Sequence, residues 1–346
     1  MEFTNLIDKK ILFFSVQTFN LEKEIVAKLN YFGASVDYYD ERPSNGTLTK
    51  GVLRLKKALY KKKIKKYYEK ILVEIEGESY DYLFVNRGEV LPSFFLEEFK
   101  KKQQTCFCIF YTWDSIKNNK HPLKILKYFD KKITFDYYDA KKYNLKFRPL
   151  FFLDYFSEVK VESENLIYDL LFIGTAHSDR YSLVNEITKW SSTKGLKYFT
   201  YFYVQGVFVF IFKKLFDKSF KKFKLAKMSF KSLKKSDILK LYNCSKVILD
   251  INHPNQAGLT MRTFESIGGK RKMITTNSEI KKYSFYNPNN IFVLDRDNVK
   301  IDENFFISDY QNIENITYNK LSIGGWIYSV FIDNELNDWE KQMLKK

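Results

Sequence analysis

Short apolar runs alternate with helical stretches along most of the chain, and this alternation limits its fold more than any other feature. The first repeat has a predicted strand at Lys10–Ser15, a helix at Leu21–Phe32 and a second strand at Ala34–Tyr39. Strands joined through a helix pair in parallel, so repetition of this unit predicts a doubly wound α/β sheet. Further strands are predicted at Tyr82–Val85, Cys106–Tyr111, Lys132–Phe135, Asp169–Ile173, Leu196–Tyr203, Lys246–Ile251, Met273–Thr276 and Ile291–Leu294.

The alternation is interrupted once, in the polar stretch between about Phe156 and Asn165. At 346 residues the chain also exceeds the usual size of a single domain. We therefore predict two Rossmann-like domains, 1–158 and 159–322, that face each other across a cleft. The remaining segment, 323–346, is predicted to form helices that pack back on the N-terminal domain.

The composition is basic and aromatic. Lys and Arg number 58 against 41 Asp and Glu, a formal net charge of +17, and 18% of the residues are aromatic. Nucleic acid, an anionic membrane surface and phosphorylated small molecules all fit such a field, whereas an AT-rich coding genome would enrich lysine and aromatics without any functional reason. The sequence contains no helix-turn-helix, RRM-like or zinc-finger signature, which disfavours a nucleic-acid partner.

Cysteine usage and the N-terminus indicate a cytoplasmic protein. Cys106, Cys108 and Cys244 have neither the number nor the spacing of a disulfide framework or a zinc site. The first residues lack the basic region, long apolar stretch and small-residue cleavage site of a secretory signal. A reducing cytosol is therefore the expected environment.

The segment 198–227 departs from the general pattern. Tyr198–Phe212 carries no charged residue, and lysines then alternate with phenylalanines. The run is too short to span a bilayer, but aromatics beside lysines also fit peripheral contact with the anionic inner face of the cytoplasmic membrane. The alternative is a buried strand followed by a helix with a solvated lysine face. The lysines are Lys213, Lys214, Lys218, Lys221, Lys222, Lys224 and Lys227.

The stretch Ile251–Asn277 carries the clearest chemical signal. A strand ends there, a loop with Gly258 follows, and a helix begins with Thr260 and Arg262 in its first turn. A helix N-terminus presents unpaired N–H groups and the positive end of a dipole, so it can seat a phosphate, and glycine lets the backbone approach closely. Glu265 lies about one turn further, within reach of a ribose. This arrangement predicts a nucleotide diphosphate site that needs no metal.

The same stretch resembles the donor site of GT-B glycosyltransferases, especially lipopolysaccharide and capsule enzymes of the glycosyl transferases group 1 type. Members carry a Gly-containing loop, a helix with a glutamate, a small-residue turn and a strand. The resemblance implies that Glu265 binds the ribose hydroxyls, while the backbone of Gly258, Leu259 and Thr260, with Arg262, holds the diphosphate. Many relatives have an acidic residue where this chain has Ala257, which leaves the donor sugar open. The matching elements are Gly258-Leu259-Thr260, Glu265, Gly268-Gly269 and Met273–Thr276.

A second stretch, Tyr168–Tyr181, is similar to the opening strand and loop of the same C-terminal domain. In that family a glycine after the strand and a nearby basic residue approach the donor phosphates. The resemblance places Gly174, Thr175 and Arg180 in those roles. His177 would help to neutralise the leaving diphosphate, or would be a structural histidine.

The first domain is similar in order and spacing to the N-terminal domains of such envelope enzymes. Glu89 and Asp114 each follow a predicted strand, where an acceptor hydroxyl would need a base or an orienting carboxylate. They are the catalytic candidates. Helix capping, or a surface ion pair with Arg87 or a lysine, is the alternative role for each.

The resemblance thus implies a glycosyltransferase that moves a sugar from a nucleotide-diphosphate-sugar donor to a glycan or lipid-linked acceptor in lipopolysaccharide or capsule biosynthesis. No cofactor or metal is expected, because no Asp-x-Asp motif follows a nucleotide-binding strand and Asp295-x-Asp297 is interpreted as a turn. A same-fold transferase of another nucleotide-activated group, such as phosphoglycerol, is the nearest alternative. A basic nucleic-acid-binding protein and a non-catalytic envelope protein are the others.

Overall fold

The computed structural model describes residues 6–44, 57–160, 166–254, 256–333 and 339. The chain divides into two compact units. Met1–Pro149 and Ile323–Lys341 form the first, and Leu150–Ser322 makes up most of the second. Each unit contains a six-stranded parallel sheet whose strands alternate with helices. The predicted α/β architecture with two doubly wound sheets is therefore confirmed.

The first sheet has the strand order β2-β1-β3-β4-β5-β6. This order reverses direction between β1 and β3, which creates a topological switch point. Apolar side chains of β1, β3 and β4 pack against the helices α2 and α3 to form one core cluster. The elements are β1 (Lys10–Ser15), α1 (Leu21–Tyr31), β2 (Ser35–Asp40), α2 (Lys57–Glu74), β3 (Tyr82–Asn86), α3 (Ser93–Lys102), β4 (Phe107–Thr112), α4 (Pro122–Ile125), β5 (Lys131–Thr134), α5 (Tyr137–Tyr143) and β6 (Lys146–Phe147).

The second sheet has the order β12-β11-β10-β7-β8-β9, so its switch point lies between β7 and β10. In open α/β sheets, ligands bind outside the carboxyl ends of the strands at such a point. The elements are β7 (Tyr168–Thr175), α6 (Arg180–Thr193), β8 (Tyr198–Tyr203), α7 (Val207–Phe216), β9 (Met228–Ser229), α8 (Lys235–Asn243), β10 (Ser245–Asp250), α9 (Met261–Gly268), β11 (Lys272–Thr275), β12 (Ile291–Val293), α10 (Asn304–Ile307) and α11 (Asn315–Lys320).

The contacts place the segment from Leu150 onward with the second unit, whereas the polar stretch in the sequence predicted a boundary between residues 158 and 159. Two aromatic contacts account for this placement. The ring of Phe152 packs so closely on Gly268 that a Cβ there would lie 2.6 Å from Phe152 Cγ, and the ring of Phe156 lies 5.1 Å from that of Tyr242. Gly268, part of the predicted small-residue turn, is thus required for packing.

The C-terminal helix α12 (Ile323–Ile327) continues into a π-helical turn, Tyr328–Ile332. It belongs to the first unit, where the Trp326 ring packs edge-on against Tyr111 at 5.0 Å between centroids. The buried Lys131 ammonium donates to the carbonyl oxygens of Ser329 at 2.9 Å and Asp333 at 2.6 Å. These bonds give hydrogen-bond partners to two carbonyl groups near the C-terminal end of the helical segment. Within the described part of the chain, no helix is long and apolar enough to cross a bilayer.

Candidate nucleotide-binding site

The carboxyl ends of β7 and β10 are joined by Arg180, the first residue of α6. Its guanidinium donates to the carbonyl oxygens of Thr175 and Ile251, each at 2.9 Å, and so ties together both sides of the switch point. Gly174 makes this approach feasible, because a Cβ there would lie 3.1 Å from Arg180 Nη1 and 2.8 Å from the Phe172 ring. Three of the residues expected around the donor phosphates, Gly174, Thr175 and Arg180, therefore lie at this edge.

The helix α9 begins at the same edge, and its N-terminus is tied to the end of β10. Thr260, the N-cap residue, accepts from the Thr263 N–H and donates its hydroxyl to Asp250, 2.9 Å away. Thr263 donates to the same carboxylate at 2.8 Å. Burial raises the pKa of Asp250, and these hydroxyl donors oppose the rise.

The two residues before the cap supply backbone to the site. Gly258 is buried, and the Leu259 side chain is 1% exposed within the core. The Thr260 hydroxyl is already engaged by Asp250. A phosphate at this helix start would therefore meet backbone N–H groups rather than this hydroxyl, and the binding role of Gly258, Leu259 and Thr260 stays a prediction.

Side-chain amides brace the loop that leads into α9. Asn252 donates to the Gln256 carbonyl oxygen at 2.9 Å, and Gln256 donates to that of Gly258 at 3.0 Å. Asn277, which follows β11, donates to the carbonyl oxygen of Ala257 at 3.0 Å. These bonds satisfy the loop backbone, so its conformation is set before any ligand arrives.

Arg262 and Glu265 form an ion pair on α9, with Arg262 Nη1 lying 2.7 Å from Glu265 Oε2. The Tyr242 hydroxyl accepts from Arg262 at 3.0 Å and lies 3.4 Å from the same carboxylate. Arg262 also donates to the carbonyl oxygen of Ile173 in β7 at 3.0 Å. Both predicted residues are thus fixed at the switch point, with Glu265 held by its neighbours.

Arg296, which was not predicted from the sequence, is a third arginine at this edge. It follows β12 within Asp295-x-Asp297, where Asp297 N donates to Asp295 Oδ1 at 3.0 Å. Its guanidinium donates to Asp179 at 2.7 Å, to Asn252 Oδ1 at 2.6 Å and to Thr276 at 2.9 Å. The available sequence signal was a cation shortly after the strand predicted at Ile291–Leu294. Its hydrogen-bond partners could not be predicted, because they are distant along the chain.

The guanidinium groups of Arg262 and Arg296 lie near enough to Arg180 to affect its pKa. Burial, followed by the charges of Arg262 and Arg296, lowers the pKa of Arg180 to about 10, although Asp250 opposes this. A cluster of like charges at the end of a sheet is stabilised by an anionic ligand. Each guanidinium also has a carboxylate beside it, Asp250 for Arg180, Glu265 for Arg262 and Asp179 for Arg296, so an anionic ligand would share these arginines with carboxylates of the chain.

His177 lies in the loop after β7, with its ring centroid 5.7 Å from that of His253. Burial, Arg180 and His253 lower the pKa of His177 to about 3. The imidazole is therefore neutral at physiological pH, and Nδ1 lies 2.9 Å from the Ser178 hydroxyl. His177 can offer a ring N–H, but supplies positive charge only if a bound anion raises its pKa.

In the first unit, the predicted catalytic carboxylates meet at Arg87, which follows β3. The Arg87 guanidinium lies 3.3 Å from Glu89 Oε2 and 3.2 Å from Asp114 Oδ2. Arg42 also donates to both Glu89 oxygens, at 2.8 and 2.6 Å. The sequence-based alternative of an ion pair with Arg87 thus describes the geometry of both residues.

A buried carboxylate, missed from the sequence, holds the loop that carries Glu89. Glu41 is fully buried and accepts from the Gly88 N–H at 2.8 Å and the Val90 N–H at 3.3 Å. Burial raises the pKa of Glu41 to about 7, although the backbone donors favour its ionised form. Arg87, in the same loop, has a φ of 90°, a conformation that non-glycine residues adopt mainly where surrounding contacts enforce it.

Asn86, the last residue of β3, is fully buried, and neither atom of its amide has a hydrogen-bond partner within the described ranges. Among the described residues, no group of three or more His, Cys, Asp or Glu side chains is placed to hold a metal ion.

No protein-family model matches this chain, and no curated protein sequence is detectably similar to it. Its three-dimensional structure does have known counterparts. A glycosyltransferase from Rickettsia africae ESF-5 superposes with a TM-score of 0.51 and 14% identity over 98% of this chain and 99% of that chain. UDP-GlcNAc 2-epimerase from Methanocaldococcus jannaschii gives 0.50 and 11% over 94% and 100%.

At these identities the likeness concerns the fold. The chain has a two-domain α/β fold of the GT-B type, as its resemblance to that family predicted.

Proposed function

We propose that this protein is a glycosyltransferase that uses a nucleotide-diphosphate-sugar donor. The observation that carries the proposal is the arginine cluster at the switch point of the second sheet. Arg180, Arg262 and Arg296 lie there around the start of α9, where backbone N–H groups and a helix dipole also favour an anion. A diphosphate is the kind of anion that arginines and backbone N–H groups bind.

In this proposal the second unit binds the donor. Glu265 accepts hydrogen bonds from the ribose hydroxyls, and its ion pair with Arg262 sets its orientation before binding. Arg262 and the backbone of Gly258–Thr260 hold the diphosphate. Gly174 and Thr175 lie beside the diphosphate, and Arg180 holds the carboxyl ends of β7 and β10 together.

Electrostatics supplies most of the catalysis. As the glycosidic bond breaks, negative charge develops on the diphosphate, and N–H groups and guanidiniums that are already oriented stabilise it without reorganisation. The reaction needs no metal in this scheme. Proton transfer from the acceptor hydroxyl is assigned to Asp114 or Glu89 of the first unit, because a carboxylate at the acceptor can act as a general base.

The proposed acceptor is a glycan or a lipid-linked glycan precursor of a cell-envelope polysaccharide, such as lipopolysaccharide O-antigen or capsule. The proposed location is the cytoplasm, with peripheral contact at the inner face of the cytoplasmic membrane through the segment 198–227. The basic and aromatic character of that segment supports this part of the proposal.

Thermal-shift titration with UDP-, GDP-, CMP- and dTDP-sugars tests donor binding. A ligand at a hundred times its dissociation constant should stabilise the protein by about 2.7 kcal/mol. Stabilisation by one nucleotide family, lost in Glu265→Ala, supports the proposal. No response to any of the four, together with steeply salt-dependent affinity for DNA or RNA, would instead favour a nucleic-acid-binding protein.

Product analysis separates transfer from other reactions that the same fold supports. The donor that binds is incubated with and without candidate glycan acceptors, and the products are identified by mass spectrometry. A glycosylated acceptor supports the proposal. Isomerisation of the nucleotide sugar without an acceptor, or transfer of a group such as phosphoglycerol, would assign a different reaction to the site.

A further inference from the structure

The helix α7 is apolar on its outer face. Phe208 is 88% exposed, Leu215 70% and Phe216 73%. With Ile211 and Phe212 they recur at helical spacing, so they form one stripe along the helix. An exposed stripe of this kind marks a surface that contacts an apolar phase or a partner.

The opposite side fixes the helix to the second unit. The Phe210 side chain is buried and packs edge-on against Phe220, with 6.1 Å between ring centroids. The Lys214 ammonium donates to the carbonyl oxygens of Lys221 at 2.9 Å and Phe223 at 2.5 Å. The apolar stripe is therefore presented by a helix that is held in place.

The chain that follows α7 is rich in positive charge and lies beside the helix. Asp217 is the only acidic residue between Val207 and Lys227 in the sequence, and its carboxylate accepts from the Ser219 N–H at 2.9 Å. A surface with this charge attracts an anionic partner and disfavours a second copy of the same surface. The exposed lysines of this collar are Lys218, Lys221, Lys222, Lys224 and Lys227.

A groove of about 480 Å³ runs between α7 and the lysine-rich chain. Ile211 and Leu215 line one side, and Phe223 and Leu225 line the other. An open apolar groove of this size accommodates part of an acyl chain, while lysines at its rim face a phosphate headgroup.

We propose that α7 and its lysine collar dock on an anionic phospholipid bilayer. The helix lies in the interface plane, with Phe208, Phe212 and Phe216 at the headgroup and acyl boundary and the lysines against lipid phosphates. The proposal identifies the surface that would make the membrane contact included in the proposed function. The biological role of this contact rests on that proposed function. The binding itself stands on the geometry of α7.

This surface adjoins the candidate nucleotide site in the same unit. The Ala176 N–H donates to the carbonyl oxygen of Tyr203 at 2.9 Å, so the loop of His177 and the chain leading to α7 leave neighbouring strands side by side. Lys213 of α7 is near enough to contribute to the lowered pKa of His177. Docking through α7 would hold the nucleotide site close to a membrane, where a lipid-linked acceptor resides.

Vesicle co-sedimentation of the full chain, without nucleotide, tests the proposal. Vesicles of phosphatidylcholine alone are compared with vesicles of equal parts phosphatidylcholine and phosphatidylglycerol. The expected result is binding to the anionic vesicles that weakens as salt rises, and little binding to the neutral ones. Equal binding to both, or binding to neither, would overturn the proposal.

Two variants and a matched control locate the surface. Phe208→Ser with Phe212→Ser should weaken binding to anionic vesicles on the order of tenfold or more, and Lys221→Glu with Lys224→Glu should do the same. The control, Ile307→Ser with Ile316→Ser, removes apolar residues that are 73% and 63% exposed elsewhere in the unit. It should bind like the wild type, and vesicle binding that survives both test variants would refute the assignment.

Two further measurements keep the result separate from donor binding and from other partners. Circular dichroism and a thermal melt verify that the variants are folded, and their nucleotide-induced thermal shift without vesicles should match that of the wild type. Size-exclusion chromatography with light scattering tests whether a second copy of the chain covers this surface instead. A dimer that dissociates in Phe208→Ser with Phe212→Ser, with no vesicle binding by the wild type, would assign the surface to self-association.

Discussion

Arg262 and Glu265 lie one turn apart on α9 and form an ion pair of 2.7 Å, and the hydroxyl of Tyr242 contacts both side chains. The carboxylate proposed to bind ribose is therefore held in one orientation. Pre-organised groups lose less entropy when a ligand binds. The pair also couples ribose binding by Glu265 to diphosphate binding by Arg262, because a change at either residue removes the ion-pair partner of the other.

The first prediction follows from this pair. Glu265→Gln should weaken nucleotide-sugar binding by about tenfold to a hundredfold, since hydrogen bonds to a charged group contribute roughly 1.5–3 kcal/mol. Isothermal titration calorimetry measures the change. Glu279→Gln is the matched control, because Glu279 pairs with Lys282 at the same spacing and at 2.7 Å. An equal loss in both variants would remove Glu265 from the donor site.

The second prediction concerns Arg296, which links Asp179, Asn252 and Thr276. Arg296→Ala should lower the free energy of unfolding by about 1–3 kcal/mol, because it removes hydrogen bonds to three side chains, of which Asn252 is buried. It should also weaken donor binding, since the cluster loses a cation. Arg296→Lys keeps the charge without the forked geometry and should recover part of the affinity. Lower stability with unchanged affinity in Arg296→Ala would limit this residue to a structural role.

The third prediction is a pH dependence from His177. Its pKa is about 3 in the folded protein against 6.5 for the ordinary group. Above pH 6.5 neither state binds this proton. As the pH falls below 6.5 the unfolded chain takes it up first, so folding stability is lost towards about pH 3. By about pH 5 the loss should be about 1–2 kcal/mol.

Urea unfolding at about pH 7.5 and pH 5 measures this effect in the wild type and in His177→Gln. Other titrating groups act on both proteins and cancel in the comparison. The variant should gain stability relative to the wild type as the pH is lowered. Parallel pH profiles would show that the pKa of His177 is not lowered in the folded protein.

The strands were largely predictable from sequence because each is a short apolar run. Lys10–Ser15 matched in full, and the strand predicted at Met273–Thr276 differs from β11 by one residue at each end. The start of α9 was predicted at Thr260, one residue before the helix begins at Met261, because a loop with Gly258 precedes a helical stretch. Local pattern determines such features.

The partners of the site residues could not be predicted in this way. Arg296 meets Asp179 only because β12 and the start of α6 reach one sheet edge, and nothing near either residue in sequence indicates the pairing. Glu41 holds the loop of Gly88 for the same reason. In the run Tyr198–Phe212 the predicted order of a strand and then a helix is present, but the exposed face of that helix is apolar, which the sequence-based alternative of a lysine face did not predict.

The fourth prediction distinguishes the two carboxylates of the first unit. Arg42 and Arg87 both hold Glu89, whereas Asp114 contacts Arg87 and the Asn118 amide. Asp114→Asn should therefore lower kcat more than Glu89→Gln, by roughly a hundredfold or more if it accepts the acceptor proton. KM for the donor should not change. Steady-state kinetics with the identified acceptor gives both constants, and an unaltered kcat in both variants would place the base elsewhere.

The fifth prediction tests the close packing at the end of β7. In Gly174→Ala the new methyl group would lie 2.8 Å from the Phe172 ring and 3.1 Å from Arg180 Nη1. Overpacking of this kind costs about 1–3 kcal/mol, and displacement of Arg180 should also weaken donor binding, because it ties Thr175 to Ile251. Gly206→Ala is the control, since a methyl group there would have no atom of the described residues beyond its chain neighbours within 4 Å. Denaturant unfolding and calorimetry should show lower stability and weaker donor binding in Gly174→Ala, and neither change in Gly206→Ala. A stable Gly174→Ala variant with full affinity would mean that Arg180 and Phe172 move aside without consequence for the site.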